Sequence, residues 1–383
     1  MRKILIFLVI LFFPLLVFCA PGFKLKQTKL FDSPDWQSFR GNEKNTGYVP
    51  FPIKTPNKLL WSFETKGPLK FSPVIAKGII FIGSLGKKIF FVDALSGKEL
   101  GKQKISTSIS SSPCVGDTIL YFACEKGDET FLALNLLTGD LLWKKKLGDI
   151  SSSPQIYQDK IFIGLDSGFL LAFNRFAGEK IWEFKTGDAV ISTPGCGGPA
   201  ELTPSGDVVC FGSVDDHLYV LDEESGELKW KFKAGGSIYS SPTIKDDKVF
   251  FSSVDGYLYA LKIEDGSLIW KFKTDRDIYS SPAIADSLVY IGSNDYFMYA
   301  VDFATGMLRW KFETGGIIRS SPIAVGDKLF FGSYDGNFYV LDRFKGKLLW
   351  NYQTKGMISS SPAYYDGKIY IASEDGTLYC FGF

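Results

Sequence analysis

Four short runs decide the fold: Ile278-Tyr-Ser-Ser-Pro-Ala-Ile-Ala285, Leu288-Val-Tyr-Ile-Gly-Ser293, Phe297-Met-Tyr-Ala-Val301 and Leu308-Arg-Trp-Lys-Phe312. Turn residues separate them at Asp286-Ser287, Asn294–Tyr296 and Asp302–Gly306. Short β-branched and aromatic runs broken by such turns read as strands joined by hairpins. Working outward, the same text returns. Ser-Ser-Pro or a near variant ends at Pro73, Pro113, Pro154, Pro194, Pro242, Pro282, Pro322 and Pro362, spaced 40, 41, 40, 48, 40, 40 and 40 residues apart. Trp stands at 61, 143, 182, 230, 270, 310 and 350, and Gly101 fills the missing place.

A fixed period marks one structural unit used repeatedly. Eight units of about 40 residues are present, the fourth lengthened by eight residues around Gly197–Gly206. No stretch after the leader has sustained helical periodicity. The expected fold is all-β: an eight-bladed β-propeller of four-stranded antiparallel blades. The turns agree. Asp255-Gly256, Asp335-Gly336 and Asp375-Gly376 suit tight hairpins, and Asp/Asn-x-x-x-Gly recurs, as in Asp302 to Gly306. Lys262 breaks that second rule.

Proline cannot donate to a ladder, so eight prolines in one register place the Ser-Ser-Pro strand at a free edge, beside the central channel. The Trp strand is then outermost, with flanking lysines such as Lys229, Lys231 and Lys233 forming a solvated rim. Its Trp and Phe side chains are expected between blades. The last unit stops after its third strand, and Leu59-Leu60-Trp61-Ser62-Phe63 is a spare outer strand. The N-terminal strand should therefore complete the last blade against Leu378–Phe381. The expected organisation is a leader over 1–20, an N-terminal extension over 21–58 with Asp32–Lys44 outside the ring, and the propeller over 59–383.

Met1–Ala20 reads as a secretory signal, with Arg2 and Lys3 ahead of the apolar run Ile4–Phe18. Leu16-Val-Phe-Cys19 also fits a lipoprotein signal apart from Phe18, which makes Cys19 a candidate for lipidation; an uncleaved anchor is the third reading. The expected location is periplasmic, membrane-anchored facing the periplasm, or extracellular. Five further cysteines lack CxxC spacing, which argues against zinc and for small buried residues. Cys196 and Cys210 share one expected hairpin and are the pair to test for a disulfide.

The 383 residues carry a formal charge of +1 and one histidine, His217. A chain so neutral has no global electrostatic case for nucleic acid. One histidine excludes a multi-histidine metal cage, and His217 reads as a turn residue. No Ser-His-Asp, Cys-His or paired-carboxylate arrangement stands out, and the glycines near 195–198 form no phosphate loop.

Ser-Ser-Pro, Tyr-Ile-Gly-Ser, Leu-Tyr-Ala-Leu-Asp and Thr-Gly-x-x-x-Trp together resemble the PQQ-like β-propeller repeat family, over about residues 59–383. Trp36-Gln-Ser-Phe-Arg-Gly41 and Asn45-Thr-Gly-Tyr48 resemble the stretch that often precedes the first blade there. Two branches follow from that resemblance. Quinoprotein dehydrogenases hold pyrroloquinoline quinone and Ca²⁺ on the axis, with adjacent cysteines joined beneath the quinone. This chain has no Cys-Cys pair and no insertion large enough for a cofactor chamber, so neither cofactor is expected. The other branch is similar to the non-catalytic propeller lipoprotein of outer-membrane β-barrel assembly, which matches in length, leader and blade number.

A repeat protein shows its function where the repeat breaks. Two residues before the serine or threonine that precedes each proline stand Lys70, Ser110, Ser151, Ile191, Tyr239, Tyr279, Arg319 and Ser359. These should ring one mouth of the channel. Lys70, Tyr239, Tyr279 and Arg319 are the candidate site, suited to a polar or anionic ligand by charge and stacking. The bland reading is drift beside a wet channel. The extra loop at Gly197–Gly206 and the smaller one at Lys126–Thr130 are candidate partner contacts. The expected function is an exported, non-catalytic, monomeric scaffold for a protein partner in the envelope, attached to a membrane only through its N-terminus. Alternatives are a small-ligand or glycan sensor at the channel mouth and a quinone-dependent dehydrogenase.

Overall fold

A computed structural model describes residues 35–127, 129–198 and 206–383. The leader with Cys19, and the centres of both insertions, lie outside the described residues. The rest forms eight antiparallel blades arranged as a ring. Blade 6 has strands Ala283–Ala285, Leu288–Gly292, Phe297–Asp302 and Leu308–Glu313, counted outward from the axis. The two middle strands of each blade are almost wholly buried. Both their faces pack on neighbouring blades, so they read as continuous apolar runs rather than alternating ones. The outer strands alternate between exposed lysines and half-buried aromatics.

The ring closes as the repeat count requires. Lys58–Glu64 pairs antiparallel with Thr377–Gly382 as the fourth strand of blade 8, with Trp61 opposite Cys380 and Phe63 opposite Leu378. The inner strand of blade 8 lies beside that of blade 1.

Three joints recur between blades. At the periphery six tryptophans lie on the glycine of the next blade's outer turn, among them Trp61 on Gly97, Trp143 on Gly178, Trp270 on Gly306 and Trp310 on Gly346, while Trp350 packs against Phe381. The indole N–H of Trp143, Trp182, Trp230, Trp270 and Trp310 donates to a backbone carbonyl of that same turn. On the face where each chain segment enters its blade, one aspartate ties two elements. Asp255 accepts the Tyr259 hydroxyl and the Gly235 N–H of the incoming loop, and Asp215, Asp295, Asp335 and Asp375 do the same. Burial, then the aspartate bond, raises the pKa of those tyrosines.

Around the axis the two serines divide the work. The first bonds the second strand of its own blade, as Ser240 does with Ser252. The second caps its neighbour: Ser72 N–H donates to the Ser112 hydroxyl, Ser112 to Ser153, Thr193 to Ser241, and so on through Ser281, Ser321 and Ser361, which donates to Ser72.

The structure corrects two expectations. Asp32–Lys44 was expected outside the ring, but residues 35–49 cross the channel as a plug. Its carbonyls take inner-strand N–H groups: Trp36 from Ile75, Gln37 from Val115, Glu43 from Cys196, Lys44 from Ile244, Thr46 from Ile284 and Gly47 from Ala324. Tyr48–Val49 then runs parallel to Ile323–Val325. Arg40, 1% exposed, donates to the Pro322 and Pro282 carbonyls at 2.5 and 2.9 Å. Burial pushes its pKa down to about 9. Gly47 lies against that guanidinium with φ +59°, where a Cβ would sit 2.3 Å from it. The second correction concerns the cysteines. Cys196 pairs in register with Val209, and Cys210 with Gly195. The two side chains therefore leave on opposite faces into different inter-blade cores, and both are free. Burial pushes the Cys210 thiol up to about 12.

Two outcomes are expected. Deleting 59–65 strips Trp61 and Phe63 from the closing blade, each costing about 3–5 kcal/mol. Arg40→Ala removes two bonds and leaves the buried Pro322 carbonyl unpartnered, at about 1–3 kcal/mol, while the Pro282 carbonyl keeps the Thr243 hydroxyl. Thermal unfolding should show both losses, and an Arg40→Ala protein as stable as wild type would refute the plug. Separately, Gly306 and Gly367 have similar φ, +70° and +71°, but a Cβ at Gly306 would lie 2.7 Å from Trp270 while nothing lies within 4 Å of one at Gly367. Gly367→Ala should cost about 1–2 kcal/mol of left-handed strain. Gly306→Ala should cost more, and equal losses by denaturant titration would mean that the tryptophan joint contributes little.

Candidate functional site

The plug fills one mouth of the channel. The opposite mouth carries the candidate site, because every inner strand begins there. Lys70, Tyr239, Tyr279 and Arg319 all line one cavity of about 170 Å³, whose floor includes Phe39 from the plug. A second cavity of about 550 Å³, over blades 1 to 4, shares Phe71, Ser151 and Ile191 with it. Together they form one depression across this face.

Within it the four residues divide. Tyr239, Tyr279 and Arg319 come from consecutive blades and stack in order. The two tyrosine rings are 5.1 Å apart, and the Arg319 guanidinium lies 4.3 Å from the Tyr279 ring and 5.6 Å from Tyr334. Burial raises the Tyr279 pKa, and the Arg319 charge opposes that rise. The Arg319 Nε is buried without a partner. Lys70 stands apart from this stack, 3.7 Å from Glu374, which also accepts the Ser359 hydroxyl. The mouth thus has a cationic aromatic side and a paired, polar side. His217 lies away from it, at the start of the strand His217–Asp222, with its Nδ1 on the Asp215 carbonyl.

Sequence reasoning missed Phe39, Phe71 and Glu374. Phe71 had a signal: it replaces the first serine of the Ser-Ser-Pro pattern. Phe39 lies outside the repeat, and only the resemblance of Trp36–Gly41 to a stretch preceding such propellers touched it.

A quinone with calcium needs carboxylate ligands and a flat space on the axis. Here the axis holds Phe39, Arg40 and Asn45 of the plug, and Asn45 donates to the Pro194 and Pro242 carbonyls. The candidate side chains are cations and phenols. Among the described residues no group of three His, Cys, Asp or Glu side chains is placed to hold a metal. These residues do not fit that cofactor.

The fold and the repeat define a PQQ-like eight-bladed propeller. More closely, the chain belongs to the family described as outer membrane protein assembly factor BamB, whose model matches residues 54–196, 172–311 and 299–382. BamB from Moraxella catarrhalis superposes with a TM-score of 0.71 at 18% identity, covering 85% of this chain and 97% of that one. A europium-containing methanol dehydrogenase superposes with a TM-score of 0.76 at 14% identity, covering 93% and 99%. At such identities both show the fold alone. Among curated proteins, quinoprotein alcohol dehydrogenase PedH of Pseudomonas putida is 25% identical over 35% of this chain and 27% of its own length. The dehydrogenase subunit of a quinone-linked alcohol dehydrogenase of Gluconobacter oxydans is 26% identical over 40% and 25%. The chain spans about a quarter of the length of these relatives.

One measurement checks the stack. Replacing Arg319 by Gln removes the charge that opposes the rise at Tyr279, so the Tyr279 pKa should climb further. Ring-labelled tyrosine NMR against pH would show this, and an unchanged titration would mean that the guanidinium does not sit on the ring in solution.

Proposed function

We propose that the protein is an exported, non-catalytic scaffold that holds a protein partner at the cell envelope, in outer-membrane protein assembly. The observation that carries this reading is the match of the BamB family model along the whole propeller. The plugged axis supports it, because the space a cofactor would use is taken by the chain's own Phe39, Arg40 and Asn45. On this reading the protein is a monomer without quinone or calcium and meets no nucleic acid. It sits in the periplasm, at a membrane through the segment that includes Cys19, or outside the cell. The depression at the open mouth is the partner surface. Its Tyr239–Tyr279–Arg319 stack also favours a second reading, a sensor that holds a planar or glycan ligand there.

A photo-crosslinking residue in place of Tyr239, in the full chain expressed in its native cell, tests the scaffold. One recurrent envelope protein should be trapped, and adducts should vanish when the residue is moved to the exposed outer rim at Lys231. Only uncrosslinked protein would sink the scaffold reading. Purified protein given the quinone and Ca²⁺ should show no alcohol-dependent dye reduction; sustained reduction would replace the scaffold with a dehydrogenase.

A further inference from the structure

The plug treats the blades unequally. Its carbonyls reach the second residue after the proline in blades 1, 2, 4, 5, 6 and 7. Among the described residues none reaches Ile156 of blade 3 or Tyr364 of blade 8. Blade 8 is covered another way, since Trp36 and Ile53 share a buried cluster with Tyr364. Blade 3 is not. There the plug turns away between Ser38 and Glu43, with Gly41 N–H on the Ser38 carbonyl. A cavity of about 340 Å³ remains between that turn and the inner strands of blades 2 and 3.

Unmet or weakly met hydrogen-bonding groups collect around this notch. The Ile156 N–H donates to the sulfur of Cys114, a weak acceptor. Gln155 is 2% exposed; its Nε2 donates to the Ile156 carbonyl, and its Oε1 has no partner. At the same position other blades carry Val74, Ala283 or Ile323. Arg175 gives Nη2 to Asp117 at 2.6 Å, but its Nε and Nη1 are buried without partners. Arg343 shows what is missing. It occupies the same turn of blade 7 and pairs with Asp286 of the preceding blade in the same way. There Nε donates to the Gly326 carbonyl at 2.6 Å, Nη1 to the Tyr290 hydroxyl at 3.4 Å, and Tyr48 of the plug lies over the guanidinium. Unpartnered buried atoms also occur within the plug, at Trp36 Nε1, Arg40 Nε and Asn45 Oδ1, but among the described residues only at the notch do they line a cavity beside an inner strand that the plug does not reach.

We propose that this notch holds a short extended peptide segment of a partner protein, laid against the inner strand of blade 3 in place of the missing plug contact. A backbone carbonyl of that segment takes the Ile156 N–H, as plug carbonyls do elsewhere, and a backbone N–H donates to Gln155 Oε1. A second carbonyl meets Arg175. Main-chain pairing of this kind gives affinity without demanding one side-chain sequence. Charge selects the backbone over an anion, because Arg175 is already paired with Asp117 and Glu43 lies on the opposite wall. The inference deepens the scaffold reading by naming the chemistry of its partner, and rests on it only for what delivers the peptide.

The test titrates ¹⁵N-labelled full chain with a capped valine–threonine tetrapeptide. The Ile156 backbone amide and the Gln155 side-chain amide should shift and saturate together. Gln155→Leu should weaken binding about tenfold, the loss of one buried hydrogen bond of about 1.4 kcal/mol. If the leucine protein does not fold, Gln155→Thr, matching Thr243 of blade 5, replaces it. No saturable shift at Ile156, or equal affinity in the variant, overturns the notch. The outcomes separate from those of the scaffold. Crosslinking at Tyr239 that survives without any peptide shift keeps the scaffold and removes the notch. Peptide binding without an envelope adduct keeps the notch and removes the scaffold.

Discussion

Eight sheets converging on one axis present eight inner edges in a narrow space. Each edge carries backbone N–H and C=O groups that meet neither a fifth strand nor bulk water, and buried groups of that kind must be satisfied. Three devices meet the demand together. Proline deletes one donor per blade. In seven blades the second serine caps a donor of its neighbour. The plug supplies carbonyls to six of the eight edges. The serine bonds join successive blades, except between Ser153 and Thr193, and return from Ser361 to Ser72, so a local geometry repeats until it meets its own start.

The outer joints depend on that inner circle. Once the inner strands are held at a fixed spacing, blades diverge outward and the widening gap takes larger residues. Serines sit at the centre, aliphatics and phenylalanines in the middle strands, and tryptophans at the periphery. Six of the indoles bridge the gap at its widest and end on a glycine because any Cβ would collide. The same wedge explains why the outer strand alone alternates: one of its faces has run out of neighbour.

Most of this was legible because it repeats. Eight prolines in register located the free edges, and the surplus Trp61 strand beside a final unit lacking one located the closure. The aspartate–tyrosine ties were hidden, because an Asp-Gly turn explains itself without them. The plug was hidden for a different reason. Its segment has no counterpart elsewhere in the chain and forms almost no strand; apart from Arg40 and Asn45 it is held largely by its carbonyls, and carbonyls carry no residue identity. Only the resemblance of Trp36–Gly41 and Asn45–Tyr48 to a stretch preceding such propellers pointed to it. For the candidate site, variation at one repeat position found the Tyr239–Tyr279–Arg319 stack. It could not place Lys70 beside Glu374, because that contact depends on a turn of the preceding blade. The blade 3 notch was invisible to the same reasoning, since it is defined by where the plug fails to reach.

The strand Lys58–Glu64 has a consequence in time. A ribosome delivers it before any blade exists, yet its partner Thr377–Gly382 is the final strand to emerge. The plug is in the same position, since its acceptors lie as far along the chain as Ala324. Both early segments must wait through nearly the whole of synthesis with their pairing edges unclaimed. Individual hairpins can form as they appear, but the domain cannot be completed in stages: a chain interrupted before Thr377–Gly382 would carry an open ring.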